Sequence, residues 1–214
     1  MYVYFFKRLI DIVASFFFLL LTLPLTIPVT ILLFIGNNGK PFFFQKRPGK
    51  NERIFRIIKY KTMNDKVGSD GALLSDQERL TPVGNFVRKT SLDELPQLVN
   101  VLKGEMSLVG PRPLIPEYLP HYSAYHRKRH NVKPGITGLA QVIGRNKMKF
   151  SKRFELDVEY VGKMSFLLDC KIILMTIAKV FNGSDIALGQ TVEEVDDLGI
   201  TKTLPSHYFK KTSI

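Results

Sequence analysis

Asp93 and Glu94 are adjacent acids near the start of a run that reads SLDELPQLVNVLKG. Carboxylates at a helix start lie at the positive end of its dipole, which keeps Asp ionised and leaves the first amides available to phosphate. An ionised Asp93 is a competent nucleophile toward a phosphoryl group. Glu94 beside it can hold Mg²⁺, which takes carboxylate and phosphate oxygens, and Asp93 offers a second such oxygen. The same residues also fit a purely local role, with Ser91 and Glu94 at capping-box spacing and Asp93 a first-turn acid. Lys59, Lys61, Arg88, Arg112 and Arg145 are cations without helical salt-bridge spacing. Arg112 is held stiffly between Pro111 and Pro113, as a bidentate phosphate clamp would be. Each is also an ordinary solvated charge when taken singly; together with a carboxylate pair they point to a phosphate site.

His126 and His130 have the i, i+4 spacing of metal ligands, but they lie within HRKRH, where positive charge disfavours a cation. An interfacial basic patch is the expectation there. Cys170 is the only cysteine, which excludes an intrachain disulfide and reads as a small core residue. No GxxxxGK[ST], GxGxxG or DxD pattern occurs, which disfavours kinase-like, dinucleotide-binding and metal-dependent sugar-transferase chemistry of those types.

These residues need a frame. Pro41 to Gln45 and Arg53 to Met63 read as extended pieces around the turn Arg47 to Lys50, with Lys59 and Lys61 on one strand face. Gly68 to Asp76 reads as an exposed loop. Thr81-Pro82 is a cap followed by a first-position proline, and the next helix ends at Gly104, with Pro96 able to shift its start by a turn. Leu114 to Gly138 is irregular. Ser151 to Lys163 and Phe166 to Phe181 are helical, the second apolar over most of its circumference and so either core or a contact with lipid.

The chain of 214 residues has room for one ordinary domain plus an anchor. Its 31 Lys and Arg against 19 acids favour anionic partners: nucleic acid, lipid head groups or phosphorylated substrates. Ile12 to Ile35 carries no charge and is long enough for a hydrocarbon core of about 30 Å. Pro24 and Pro28 interrupt it, while Lys7 and Arg8 before it and Lys40, Lys46, Arg47 and Lys50 after it draw both flanks to the cytoplasm. A helix that enters and leaves one leaflet satisfies both pulls; a kinked span with Lys7 and Arg8 outside is the alternative. From Gly183 the composition changes, with clustered acids and then a basic end, as in an appended arm.

KYKTM, RKTSLDELPQLVNVLKGEMSLVGPRP and KPGITGLAQVIGR, behind an apolar start opening FFKRLIDI, resemble the monotopic phosphoglycosyl transferases among the bacterial sugar transferases, in particular the small, single-domain members. The likeness runs from about Phe6 to about Phe181. It implies an α/β fold, mostly helical with short strands: residues 1–36 a re-entrant membrane helix broken at Pro24, 37–182 a cytoplasmic catalytic domain with interfacial helices, 183–214 a tail of unassigned role. Family members often have Ser before that proline; here Leu23 stands there and Thr22 precedes it. The resemblance further implies transfer of a sugar-1-phosphate from a UDP-sugar to polyprenyl phosphate at the bacterial inner membrane. Asp93 would be the nucleophile and Glu94 would help hold Mg²⁺. Lys59, Arg88, Arg112 and Arg145 would bind phosphate or nucleotide. Asp157 and Tyr160 match without an assigned role. Membrane lipid, and downstream glycosyltransferases that use the product, are the implied partners, and nucleic acid is not. The rival expectation is a non-catalytic, membrane-tethered basic module binding anionic lipid or nucleic acid, motivated by the net charge of +12.

Overall fold

The computed structural model describes residues 2–69, 71–144, 148–182 and 195–203. A π-helical turn leads into α1 (Lys7–Gly36), the one described helix long and apolar enough to cross a membrane. The expected break at Pro24 does not interrupt it: the helix is continuous through Pro24 and Pro28. A proline removes one backbone donor, and the flanking turns can persist around it. Thr22 donates to the carbonyls of Phe18 (2.7 Å) and Leu19 (3.3 Å), so its hydroxyl does not serve the Leu20 carbonyl that Pro24 leaves without its usual partner.

Both ends of α1 are tied to the same domain. Arg8 donates to the carbonyls of Val101 (2.6 Å) and Leu102 (2.9 Å), and Asp11 accepts from Ser107 Oγ and the Leu108 amide. Lys7 pairs with Asp169. At the other end Val29 and Leu33 pack with Tyr60 and Val87, and Asn37 Nδ2 donates to the Lys61 carbonyl at 2.6 Å. Between these ends the apolar side chains are largely exposed, Leu21 at 76%.

β1 (Phe42–Pro48) and β2 (Ile54–Tyr60) form an antiparallel hairpin, Lys59 opposite Phe43. Asn51 and Glu52 take left-handed φ values of 55° and 61° at its turn. The segment read as a loop ends where a short helix, α2 (Asp76–Arg79), begins, and there Ser75 and Glu78 form a true capping box. α3 (Pro82–Lys89) starts as expected, the Thr81 hydroxyl accepting from the Gly84 amide. α4 (Gln97–Lys103) begins one turn later than the Asp-Glu pair, after Pro96, and ends at Gly104 with φ 85°.

β3 (Ser107–Val109) pairs in parallel with β4 (Gly135–Thr137). Between them lie 3₁₀ turns and α5 (Ala124–Arg127). α6 (Leu139–Ile143), α7 (Phe150–Lys163) and α8 (Phe166–Asn182) complete the domain. The core lies between helices and strands in several patches. Phe55 and Ile57 pack with Val101 and Met106, so one face of β2 meets α4, while Tyr60 on its other face meets α1. Ile172 is fully buried whereas Leu167 and Leu174 on the same helix are 79% and 67% exposed, so α8 is at once core and unpartnered apolar surface. Cys170 is half-buried. Of the tail, residues 195–203 are docked, Val195 and Ile200 being buried with Tyr118, Tyr122, Phe150 and Phe154. Asp197 accepts from Ser151 in the first turn of α7.

Candidate active site

Lys59 follows Phe55 and Ile57 at strand period two and therefore leaves β2 on the face that α4 covers. The fit of strand to helix is set by Asn100, which is fully buried. Its side chain accepts from the Ile58 amide at 3.0 Å and donates to the Arg56 carbonyl at 2.8 Å. Lys59 Nζ then reaches Glu94 Oε1 at 2.7 Å and lies 3.8 Å from Asp93 Oδ2.

The acids do not stand in a capping box. Ser91 adopts a left-handed φ of 55° without a side-chain cap, and Leu92 to Glu94 form a 3₁₀ turn. Glu94 is instead drawn sideways by cations: Arg112 Nη2 donates to Oε1 at 2.8 Å and Nη1 to Oε2 at 3.4 Å. Two charge-assisted partners are worth more to a carboxylate than one backbone amide. A left-handed non-glycine residue costs on the order of 1 kcal/mol or more and is held only by its surroundings. Here it stands two residues before Asp93.

Arg112 comes from the turn after β3. Gly110 sits where the strands close: its amide donates to the Thr137 carbonyl at 2.9 Å, and an added Cβ would lie 2.5 Å from the Lys133 carbonyl oxygen. The Arg112 carbonyl accepts from Arg129 Nη2 at 2.7 Å. Arg129 is in turn fixed by Asp157 Oδ2 (2.6 and 3.1 Å) and the Tyr122 hydroxyl (3.0 Å). HRKRH is thus only partly a surface patch. Arg129 and His130 are buried because α7 supplies Asp157, while Arg127 pairs with Glu52. Tyr160 donates to Asp169 at 2.7 Å and to the Val109 carbonyl at 3.1 Å, a structural role at the base of the same turn.

Of the expected site residues, Asp93, Glu94, Lys59 and Arg112 come together. Arg88 donates through Nε to Thr62 Oγ1 at 2.9 Å and acts on Asp93 through its charge. Lys61 lies past the end of β2 and pairs with Asp65. Arg145 lies outside the described residues. Burial pushes the Asp93 carboxyl above the usual range, against the pull of Lys59 and with a further push from Glu94. Burial would do the same to Glu94, but Arg112 and Lys59 outweigh it and hold that carboxyl far below the range. The two neighbours therefore differ: Glu94 is a locked anion, Asp93 a more basic one with an oxygen to spare. Sequence reasoning missed Arg129 and Asn100. Arg129 is hidden in a basic run, and Asn100 gives no local signal of the strand that it grips, since the Arg56 and Ile58 backbone groups lie more than forty residues away.

The profile of the bacterial sugar transferases matches residues 2–183, and the chain belongs to that family. It is 51% identical to the uncharacterised sugar transferase EpsL of Bacillus subtilis, over 81% of this chain and 86% of that one. It is 40% identical to the UDP-glucose:undecaprenyl-phosphate glucose-1-phosphate transferase of Escherichia coli, over 82% of this chain but 40% of that longer protein. ExoY of Rhizobium meliloti, an exopolysaccharide production protein, is 35% identical over 81% of this chain and 84% of its own. Membership of an enzyme family displaces the reading as a non-catalytic basic module.

Proposed function

We propose that this chain transfers a sugar-1-phosphate from a UDP-sugar to polyprenyl phosphate through an aspartyl-phosphosugar on Asp93. The carrying observation is the division of labour between the paired acids. Both side chains keep about a fifth of their surface, but Glu94 has both oxygens engaged by Lys59 and Arg112, whereas Asp93 has Lys59 no nearer than 3.8 Å. An Asp93 oxygen attacks the β-phosphorus, and the bond to the bridging oxygen breaks with its electron pair leaving on UMP. A phosphate oxygen of the lipid then attacks the same phosphorus, and Asp93 departs as the free carboxylate. Lys59, Arg112 and Arg88 neutralise charge on the passing phosphoryl group.

Asp93 and Glu94 are the site's acids. Among the described residues there is no group of three or more His, Cys, Asp or Glu that could cage an ion. Asp93 with substrate phosphates suits Mg²⁺, which rarely relies on protein ligands alone, and Glu94 would join it by exchanging Lys59 or Arg112 for the ion. Bound there, Mg²⁺ would offset the charge of the donor diphosphate.

The acceptor's head group lies at the membrane surface, so the site must sit at that depth. Exposed apolar faces on α1 and α8 support docking on the bilayer. Ties from both ends of α1 to one domain favour the re-entrant path over a span, with the domain on the cytoplasmic face of the inner membrane. Glycosyltransferases that extend lipid-linked sugars would consume the product. Relatives named for UDP-glucose and UDP-galactose make these the first donors to try.

The test is incubation with radiolabelled UDP-sugars, with and without polyprenyl phosphate. Donor alone should yield UMP and a base-labile label on the protein, near one per chain, and the acceptor should chase it into lipid. Full turnover by Asp93→Asn would overturn the covalent reading. A Met1 tag accessible only from outside the cell would overturn the re-entrant path.

A further inference from the structure

Arg112 joins the acid pair to two further arginines that no step above uses. Arg47 is the penultimate residue of β1, and the Pro48 and Gly49 that follow line a small cavity together with Arg112, Pro113 and Arg129. Its Nη2 donates to Gln45 Oε1 at 2.6 Å, while its Nε is buried without a hydrogen-bond partner. Arg153 lies one turn before Asp157 on α7, on the face that meets Arg129 and, through it, the Arg112 carbonyl. Its guanidinium rests 5.4 Å from the centre of the Phe150 ring.

Among the described residues neither Arg47 nor Arg153 is in a salt bridge; Glu117 acts on Arg47 only through its charge, and Asp157, which acts on Arg153 in the same way, is already paired with Arg129. Burial and the neighbouring Arg112 charge make both guanidinium groups harder to keep protonated, Arg47 down to about 10. Gathering like charges in a half-buried place is unfavourable unless an anion compensates them.

We propose that Arg47 and Arg153, beside Arg112, form an anion subsite for the nucleotide-side phosphate of the donor, the one that leaves as UMP. This rests on the transfer reading above. Asp93 must meet one phosphorus of a diphosphate, and Arg112, bonded to the acid next to Asp93, leads from that phosphorus to the arginines. Guanidinium donors on the departing phosphate neutralise the charge that it gains as the bridging bond breaks.

The test uses the full chain in lipid nanodiscs, with UMP as product inhibitor of UMP release. Arg47→Gln and Arg153→Gln should each weaken UMP inhibition and raise donor KM about tenfold, and Arg→Lys at either position should recover part of that loss. Active Gln variants that UMP inhibits as strongly as the wild type would overturn the subsite and leave the transfer reading standing. Absence of UMP release from every donor would instead remove the reading beneath it. Should the Gln variants fail to fold, ¹⁵N spectra of the arginine Nε–H groups in the wild type decide. UMP should shift Arg47 and Arg153 and uridine should not; unchanged resonances overturn the subsite.

Discussion

Two groups of opposite charges meet at Arg112, one through its side chain and one through its backbone. The first, Lys59–Glu94–Arg112 with Asp93 alongside, is partly open: Lys59, Asp93 and Glu94 keep about a fifth of their side-chain surface and Arg112 keeps 41%. The second, Arg129–Asp157, is closed, with 1% and 2% exposed, and Tyr122 completes it. The chemistry of the partners is alike, so exposure decides what each can do. Open charges can exchange partners with an incoming phosphate. Closed ones cannot, and removing either partner leaves a buried charge alone. The closed pair holds the arginine that the open group uses.

Substitution should separate the open group from the closed one. The largest effect should be Asp93→Asn, which removes the nucleophile and should slow UMP release about a thousandfold, roughly 4 kcal/mol of barrier. Its melting temperature should stay close to that of the wild type. Asp157→Asn should invert the pattern. It isolates Arg129 and should cost about 3 to 5 kcal/mol of stability, read as a lowered denaturant midpoint. Equal loss of stability in both variants would erase the distinction between open and closed.

A smaller effect is on pH dependence. Asp93 must be ionised to attack, and burial raises its carboxyl above the usual range, so kcat/KM should fall with decreasing pH earlier than an ordinary carboxylate dictates. Lys59 pulls that carboxyl down, so Lys59→Met should move the acid limb further up in pH. A pH profile for kcat/KM checks both statements, and an unmoved limb would separate Lys59 from Asp93.

The smallest effect concerns His130, behind the closed pair. Burial, followed by the Arg129 charge, lowers its pKa to about 4. The unfolded chain takes up this proton near its ordinary value of about 6.5 and the folded one does not. Stability from this group is therefore whole above about pH 6.5 and is lost as pH falls toward about 4, on the order of 2 kcal/mol. His130→Gln should flatten that slope in denaturant titrations.

Much of the frame is written locally. Thr81-Pro82 starts α3, Gly104 ends α4, and the apolar periodicities bound α7 and α8 within a residue of their observed ends. These signals act through bonds within one or two turns, so neighbouring residues suffice to read them. The Ser91–Glu94 spacing misleads for the opposite reason. A capping box is a local option, and here distant Lys59 and Arg112 outbid it. The same spacing at Ser75–Glu78, with no such competitor, forms the box.

The apolar first helix, the adjacency of the paired acids and the stiff Pro111-Arg112-Pro113 turn are local properties, because chain length, hydropathy and proline geometry need no partner to act. Tertiary structure decided the rest. It tied both ends of α1 to one domain, turned Glu94 into a locked anion beside a freer Asp93, and buried Arg129 out of a run that looks like surface. The last two of those outcomes depend on a charge supplied from far along the chain. Whether a charged side chain stays in solvent or is buried turns on whether folding delivers its opposite within bonding distance.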